Sequence, residues 1–380
     1  MQASWRWLIC CMVVGLGPSV SLAQPVPQSQ VNPPPQTVAP TPGAAPTRAN
    51  PPTLGQSPAG EPGKVVDLTP PEWANLPPAP PMHHAAAAPV GSWELYAAAQ
   101  YLLLRPYRRD LDLGLVSLRD NFSPIGSIIS QSYDTRSGLR IGVGGYSPES
   151  GWQAGFEYTY FHSAANRDAV APPGGVFYPA LTQPGTIDAV TTATGLASLN
   201  YNVYDIVLGQ RHKLPHDLEL GLQGGVRLAS IRQNQSAYFD GLDANAASST
   251  LVNQFDGAGV FVGMQADWNL GYGLSFYGRA RGALLYGDQC TRLTALNNQN
   301  RTVNAAIRDH FEQIVPTAEL GFGVAWQYRS MRIAAGYEVI NWFGLNDTPT
   351  LVDDFAPGRF SRQRSDLGLE GLNISLLFAF

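Results

Sequence analysis

Three observations predict an all-β fold, a transmembrane antiparallel up-and-down β-barrel of about 10 strands (8 to 12) preceded by a disordered proline-rich segment. The carboxy-terminal residues alternate, so that one face carries Leu372, Ile374, Leu376, Phe378 and Phe380. The amino terminus has the features of a secretory signal peptide. Charged residues make up only 14% of the chain, whereas a soluble domain carries about 25%. The deficit indicates that much of the surface faces lipid rather than water.

The carboxy-terminal alternation is typical of the last strand of an outer-membrane barrel, with Leu377 as the one exception. A half-buried strand of a soluble sandwich has the same pattern, and the signal peptide decides between the two. We expect Phe380 to act as an assembly signal, through which the last strand engages the barrel-assembly machinery.

The signal peptide is predicted over 1–23, with a short apolar run and the cleavage sequence Ser21-Leu22-Ala23. That run and every later one are too short for a membrane-spanning helix, which needs about 18 apolar residues. Removal of the signal leaves Cys290 as the single cysteine, so neither an internal disulfide framework nor a multi-thiolate metal site is expected.

Residues 24–90 are rich in proline, alanine and glutamine and contain few large apolar side chains. Such a segment cannot bury enough surface to order itself, so we interpret it as a disordered linker. In the periplasm it has the reach to contact peptidoglycan or periplasmic proteins. The adjacent His83 and His84 lack supporting ligands, so no metal site is predicted there.

The barrel is predicted over 91–380, and its alternating segments are separated by gaps that are long and short in turn. This pattern is expected of a barrel with tight turns in the periplasm and large loops outside the cell. The predicted strands are 93–105, 137–146, 152–162, 197–211, 218–231, 255–269, 273–286, 311–328, 331–343 and 366–380.

Within each predicted strand one parity is apolar and the other is polar or small. In the strand from Leu218, for example, Leu222 and Val226 alternate with Gln223 and Arg227. We assign the apolar parity to lipid and the polar parity to the lumen. Aromatic residues near strand ends are expected to form interfacial girdles, and these are Trp93, Trp152, Tyr160, Trp268, Tyr286, Trp326 and Trp342.

Charged side chains of both signs fall on the parity assigned to the lumen. Opposite charges on neighbouring strands predict cross-strand ion pairs, as for Glu219 and Arg211 in one hairpin, or Arg140 beside the strand of Glu157. A barrel of about ten strands is too narrow for a wide general porin, because open porins use about 16 to 18 strands. The predicted lumen-lining residues are Glu94, Arg140, Glu157, Asp205, Arg211, Glu219, Arg227, Asp267, Arg279, Arg281, Glu319, Arg332 and Glu338.

Two stretches, from Gly151 to Ser163 and from Asn200 to Arg211, carry a family likeness. They resemble the Legionella-type major outer membrane protein family, and the resemblance extends over roughly 93–380. It implies a pore-forming β-barrel with no catalytic motif. The proline-rich leader and the modest strand number depart from that pattern.

The favoured function is a narrow, partly charge-lined channel for small solutes in the bacterial outer membrane, without cofactor, metal or nucleic acid. A structural or adhesive anchor with a side-chain-filled lumen and ligand-binding loops is the alternative. A rim hydrolase that activates water is less favoured, and its candidate residues are His162, Asp309, His310, Asp353 and Asp354. Loop aspartates able to bind calcium lack a supporting motif, and these are Asp112, Asp243 and Asp288.

Overall fold

The computed structural model describes residues 93–119, 125–352 and 359–380. The predicted signal peptide and proline-rich segment lie outside these residues. The described chain forms the strands β1 (Glu94–Tyr107), β2 (Asp112–Ser117), β3 (Gly126–Ser130), β4 (Arg136–Tyr146), β5 (Trp152–Val170), β6 (Val176–Pro179), β7 (Thr192–Leu214), β8 (Leu218–Gly241), β9 (Ala244–Gly271), β10 (Leu274–Asn297), β11 (Thr302–Tyr328), β12 (Met331–Leu351) and β13 (Phe360–Ala379). Within this part of the chain, no helix is long and apolar enough to span a membrane.

Ten of these strands form one closed antiparallel barrel, in the order β1-β13-β12-β11-β10-β9-β8-β7-β5-β4, with β4 returning to β1. The carboxy terminus closes the ring, because the Leu95 and Phe380 backbones exchange two hydrogen bonds of 3.1 and 2.8 Å. The predicted ten-stranded up-and-down barrel is therefore confirmed. Closure leaves no free sheet edge at this level of the barrel.

Tight turns join β4 to β5, β7 to β8, β9 to β10 and β11 to β12 at one end, which we call the short-turn end. Their backbones use the left-handed region, with φ of 54° at Tyr272 and 79° at Gly273 in the β9–β10 turn. Such conformations match the right-handed twist of hairpin strands. The opposite end, where the long connections lie, is the loop end.

An apolar band surrounds the half of the barrel nearest the short-turn end. On β9, for example, Val260, Val262 and Met264 point outward and are exposed. Beyond this band the outward residues of β9 and β10 become polar, as at Asp256 and Asp288, which are paired across the two strands. The band fits the bilayer core, which a tilted strand crosses in about 9–11 residues.

Much of what was predicted as long loops consists of strand extensions above this band. The segments 232–254 and 287–310 are arms of the β8–β9 and β10–β11 hairpins, with turns at 242–243 and 298–301. Neither face there is continuously apolar, since Arg232, Gln233 and Asn234 are all polar. When both faces of a strand contact water or polar groups, its sequence does not alternate between apolar and polar residues, and the strand cannot be recognised from that pattern.

Two of the three remaining long connections, 106–136 and 163–196, contribute the strands of a small three-stranded sheet, in the order β3-β2-β6. Leu113 of β2 and Phe177 of β6 are fully buried in a cluster with inward-facing Phe239 of β8 and Ala247 of β9. The sheet therefore packs against the inner wall of the barrel at the loop end and fills that mouth.

The hydrogen-bonded ladder between β11 and β12 ends at Thr317, on the side toward the loop end. Below that residue the two strands pair from Thr317↔Trp342 to Tyr328↔Met331. Above it, the described part of β11 pairs with β10 alone, and the β12 ladder to β13 shifts register between Trp342 and Asn346. Pro316, which has no backbone N–H, stands where the β11–β12 ladder ends.

Candidate functional site: the barrel interior

The interior at the short-turn end is a cavity of about 180 Å³, which we call the vestibule. The partly exposed side chains of Arg211 and Arg332, 32% and 22% accessible, show that solvent reaches it. Tyr96 and Tyr277 lie on its wall. Five guanidinium groups line it, from Arg140, Arg211, Arg279, Arg281 and Arg332.

An ion-pair layer closes the vestibule toward the loop end. Arg227 donates to both carboxylate oxygens of Asp205, at 2.8 and 2.7 Å, and contacts Glu319. Their side chains are at most 6% exposed. Buried charges without partners are costly, so pairing is the condition for placing them here.

Other pairs join strands that are not neighbours. Arg281 of β10 donates two hydrogen bonds to Glu157 of β5, at 2.7 and 3.1 Å, and lies 3.6 Å from Asp205. Arg140 of β4 contacts Glu338 of β12 at 3.1 Å. The sequence placed Arg140 beside the strand of Glu157, but both residues find their partner across the lumen.

The remaining charged positions lie closer to the short-turn end. Glu338 also accepts from Arg279 at 3.0 Å, so one carboxylate serves two arginines. Arg211 lies 3.5 Å from Glu219, and Arg332 contacts Asp267. Glu94 is on the inward parity but is exposed at the rim of the barrel.

Above the ion pairs the lumen is filled by an apolar layer. Trp342 is fully buried and stands edge-on to Tyr201, with ring centroids 5.8 Å apart. We call this layer the seal. Its larger members are Leu102, Phe161, Tyr201, Phe255, Leu285, Val315, Ile340, Trp342 and Leu369.

The seal corrects one assignment made from the sequence. Trp342 was predicted to join an interfacial girdle, but it lies inside the barrel. The reason is parity, because Trp342 has the same inward parity as Glu338 and Arg332 on β12. The other six predicted girdle residues are exposed on the outer surface, and they are Trp93, Trp152, Tyr160, Trp268, Tyr286 and Trp326.

A second polar layer lies between the seal and the loop end. Asp110, in the connection after β1, accepts hydrogen bonds from Arg108 at 2.7 Å, from Thr348 at 2.7 Å and from Ser365 at 2.6 Å. Burial by itself raises the pKa of Asp110, but the hydrogen bonds and charge of Arg108, with those of Ser365 and Thr348, outweigh it and lower the pKa below its ordinary value. This carboxylate ties the β1–β2 connection to β12 and β13.

The hydrolase candidates are not brought together among the described residues. His162 faces outward on β5 and contacts Asn200, whereas His310 faces outward on β11, 3.8 Å from Asp288. Asp309 contacts Arg362. Asp353 and Asp354 lie outside the described residues.

The calcium candidates also make ordinary protein contacts. Asp112 accepts from Ser130, and Asp243 accepts from the backbone N–H of Ala189. Within the described ranges, no group of three or more His, Cys, Asp or Glu side chains is placed to hold a metal ion.

Sequence reasoning found most of the inward charges but missed the seal. It treated the inward parity as polar or small throughout, whereas Phe161, Phe255 and Trp342 share that parity with the charges. The available signal was the parity itself, since each of these aromatic residues is an even number of positions from an inward charge on its own strand.

Solved structures of outer-membrane barrels resemble this chain distantly. The protease OmpT from Escherichia coli matches at 9% identity over 76% of this chain and 98% of its own, with a TM-score of 0.43. AlkL matches at 9% identity over 78% of this chain and 95% of its own, with a TM-score of 0.26. A FadL homologue from Pseudomonas aeruginosa matches at 7% identity over 76% of this chain and 90% of its own, with a TM-score of 0.21.

A comparison with curated proteins found no significant match. The family model described as the Legionella pneumophila major outer membrane protein precursor, however, matches residues 89–380. That match covers well over half of the chain and includes every strand of the closed barrel. The chain therefore belongs to the Legionella major outer membrane protein family and is an integral β-barrel of the outer membrane.

Proposed function

We propose that this protein is a narrow pore for small solutes and that the structure is its closed state. The observation that carries the proposal is the vestibule, a solvent-reached and arginine-lined cavity that occupies the lumen below the ion-pair layer. A barrel that serves only as an anchor has no need of a polar cavity at this level, where side chains alone can fill a lumen of this size.

The seal is the apolar barrier of such a pore, and it lies between the ion-pair layer and the small sheet at the loop end. Trp342 and Phe255 are each at most 1% exposed, so among the described residues this apolar layer separates the vestibule from the loop end. Conduction therefore requires these side chains to move or the layer to thin. Truncating a seal residue lowers this barrier.

The test is single-channel recording of the purified full chain in a planar bilayer, with Trp342→Ala beside the wild type. We expect brief open steps in the wild type and more frequent or larger steps in Trp342→Ala. Trp326→Ala is the matched control, because Trp326 is on the outer surface, 44% exposed, and does not face the seal. Electrophoretic mobility before and after boiling shows whether each variant forms a closed barrel.

The second candidate is an anchor whose lumen stays filled and whose loops bind a ligand, and the close packing of the seal favours it. Absence of channel current in both the wild type and a folded Trp342→Ala would reject a pore that opens at the seal and would favour the anchor. We propose no catalytic role, since His162 and His310 lie on strands separated by β7, β8, β9 and β10.

We further propose that outer-membrane lipid surrounds the apolar band and that the short-turn end faces the periplasm. The proline-rich segment 24–90 would then lie in the periplasm, within reach of peptidoglycan or periplasmic proteins, and the strand ending at Phe380 would engage the barrel-assembly machinery. An epitope inserted near Pro40 should be labelled only after the outer membrane is permeabilised. Labelling on intact cells would reject this orientation.

A further inference from the structure

The vestibule wall offers more hydrogen-bond donors than acceptors. Besides the five guanidinium groups, the amide side chains of Gln100, Gln153, Gln223 and Gln265 lie on it, and Glu157 is the acidic residue among its lining side chains. Guanidinium groups have five N–H donors each and no acceptor. A surface of this composition is suited to bind an anion.

Two of these donors are buried and have no hydrogen-bond partner among the described residues. The Arg281 side chain is only 4% exposed, and its Nε has no hydrogen-bond partner within the described ranges, although its terminal nitrogens contact Glu157 and Gln223. The Nε2 of Gln223 is likewise buried, and no described residue accepts a hydrogen bond from it. Because a buried polar group without a partner is destabilising, each donor calls for an acceptor that the described part of the chain does not supply.

Arginines also outnumber carboxylates at the vestibule, as donors outnumber acceptors. Arg281, Arg211 and Arg332 each have a carboxylate of their own near the vestibule, in Glu157, Glu219 and Asp267 respectively. Arg140 and Arg279, however, share one.

That shared carboxylate is Glu338, at 3.1 Å from Arg140 and 3.0 Å from Arg279. The opposite excess lies deeper, where Arg227 contacts both Asp205 and Glu319 and Arg281 lies 3.6 Å from Asp205. Glu94 stands at the exposed rim, where water and salt screen its charge. Counted by direct contacts among the described residues, the Arg140–Arg279 pair thus has two cations and one carboxylate beside the cavity.

We propose that the vestibule binds one small oxyanion, with a carboxylate as the simplest case, at the surface formed by Arg279, Arg281 and Gln223. A carboxylate presents two acceptor oxygens and can take two parallel hydrogen bonds from a guanidinium. One negative charge balances the cation that shares Glu338. The cavity of about 180 Å³ admits such an ion from the short-turn end.

The inference goes beyond the proposed pore, because it concerns binding from one side and needs no passage through the seal. It is therefore tested without conduction. The probe is trifluoroacetate, and the measurement is the broadening of its ¹⁹F resonance by the full chain folded in detergent, titrated at constant ionic strength. Displacement of trifluoroacetate by acetate indicates a site that recognises a carboxylate, whereas displacement by chloride alone indicates non-specific attraction of anions.

We expect saturable broadening that acetate reverses. Arg279→Gln removes the charge and should weaken binding by at least about tenfold, the scale of one charge-assisted hydrogen bond. Arg279→Lys keeps the charge and should retain most of the affinity, and Gln223→Leu should weaken binding by removing one donor. Arg136→Gln is the control, since Arg136 is 55% exposed and pairs with Asp134.

No saturable broadening by the wild type would overturn the site. So would equal binding by Arg279→Gln and the wild type, or chloride competing as well as acetate. Boiled and unboiled mobilities are compared for each variant, and only variants with the shifted mobility of a closed barrel enter the comparison. If Arg279→Gln fails to fold, Gln223→Leu alone decides. Since binding is read in detergent, a barrel that binds the probe but never conducts rejects the pore and leaves the site standing.

Discussion

Arg227 allows the ion-pair layer to be tested by a single substitution. Its guanidinium holds Asp205 by two hydrogen bonds and also contacts Glu319, and all three side chains are at most 6% exposed. Arg227→Met keeps much of the volume but leaves two carboxylates buried without their cation. Removing one partner of a buried ion pair costs about 3 to 5 kcal/mol, and Arg281, 3.6 Å from Asp205, already pairs with Glu157 and so replaces the lost cation only in part.

The free energy of unfolding is measured in lipid vesicles by urea titration, with the unboiled electrophoretic band reporting the folded barrel. A loss of 3 kcal/mol changes the folding equilibrium by more than about a hundredfold. Arg136→Met is the matched control, because its ion pair with Asp134 is exposed on both sides and contributes about 0 to 1 kcal/mol.

A neutralised variant separates charge from packing. Adding Asp205→Asn and Glu319→Gln to Arg227→Met removes the uncompensated charges and should recover most of the lost stability. A loss below about 1 kcal/mol for Arg227→Met would refute the buried ion-pair layer. Failure of the neutral variant to recover would mean that the loss came from shape rather than charge.

The lipid-facing side of β9 and the buried carboxylate of Asp110 near the loop end can each be tested by substitution. Met264→Arg should reduce membrane yield more than Gln265→Arg, because an arginine facing lipid costs about 2 to 4 kcal/mol whereas Gln265 faces the vestibule; equal yields would reject the assigned faces. The pKa of Asp110 in the folded protein is lowered from 3.8, so the stability that this carboxylate contributes should be complete above pH 3.8 and should be lost as the pH falls further. Asp110→Asn should therefore be less stable than the wild type at neutral pH, and its stability should depend less on pH in acid. Limited proteolysis from pH 7 to 3 checks this, and the same acid sensitivity in Asp110→Asn would assign it to other groups.

The sequence was sufficient for the parts of the fold that lipid constrains. A strand in a bilayer must show apolar residues at every second position, so β13 and the band on β9 were predictable from residues such as Ile374 and Val262. Tight turns such as Tyr272-Gly273 are equally local. The extensions of β8 and β9 were not predictable, because Arg232 and Gln233 point to opposite faces and both are polar.

The interior required three-dimensional information. Whether Arg140 meets Glu157 or Glu338 depends on distances across the lumen, which strand order and tilt determine and which residue spacing does not contain. The sequence did not predict the seal for a different reason. Trp342 satisfies the expectation of an aromatic residue near a strand end, and only its parity relative to Glu338 distinguishes a lumen plug from a girdle.

The seal is also shaped by glycines, and this gives a final prediction. A Cβ added at Gly257 would lie 2.4 Å from the Phe255 ring, whereas one at Gly278, on the outer face, would meet nothing within 4 Å. Gly257→Ala should therefore destabilise the barrel by about 1 to 3 kcal/mol, the usual effect of overpacking, and Gly278→Ala should not. Phe255→Leu removes the far end of the ring, so the double variant should be more stable than the sum of the two single changes implies. Additive losses in the same urea titration would show that the two sites do not touch, and the aromatic packing described for the seal would be wrong.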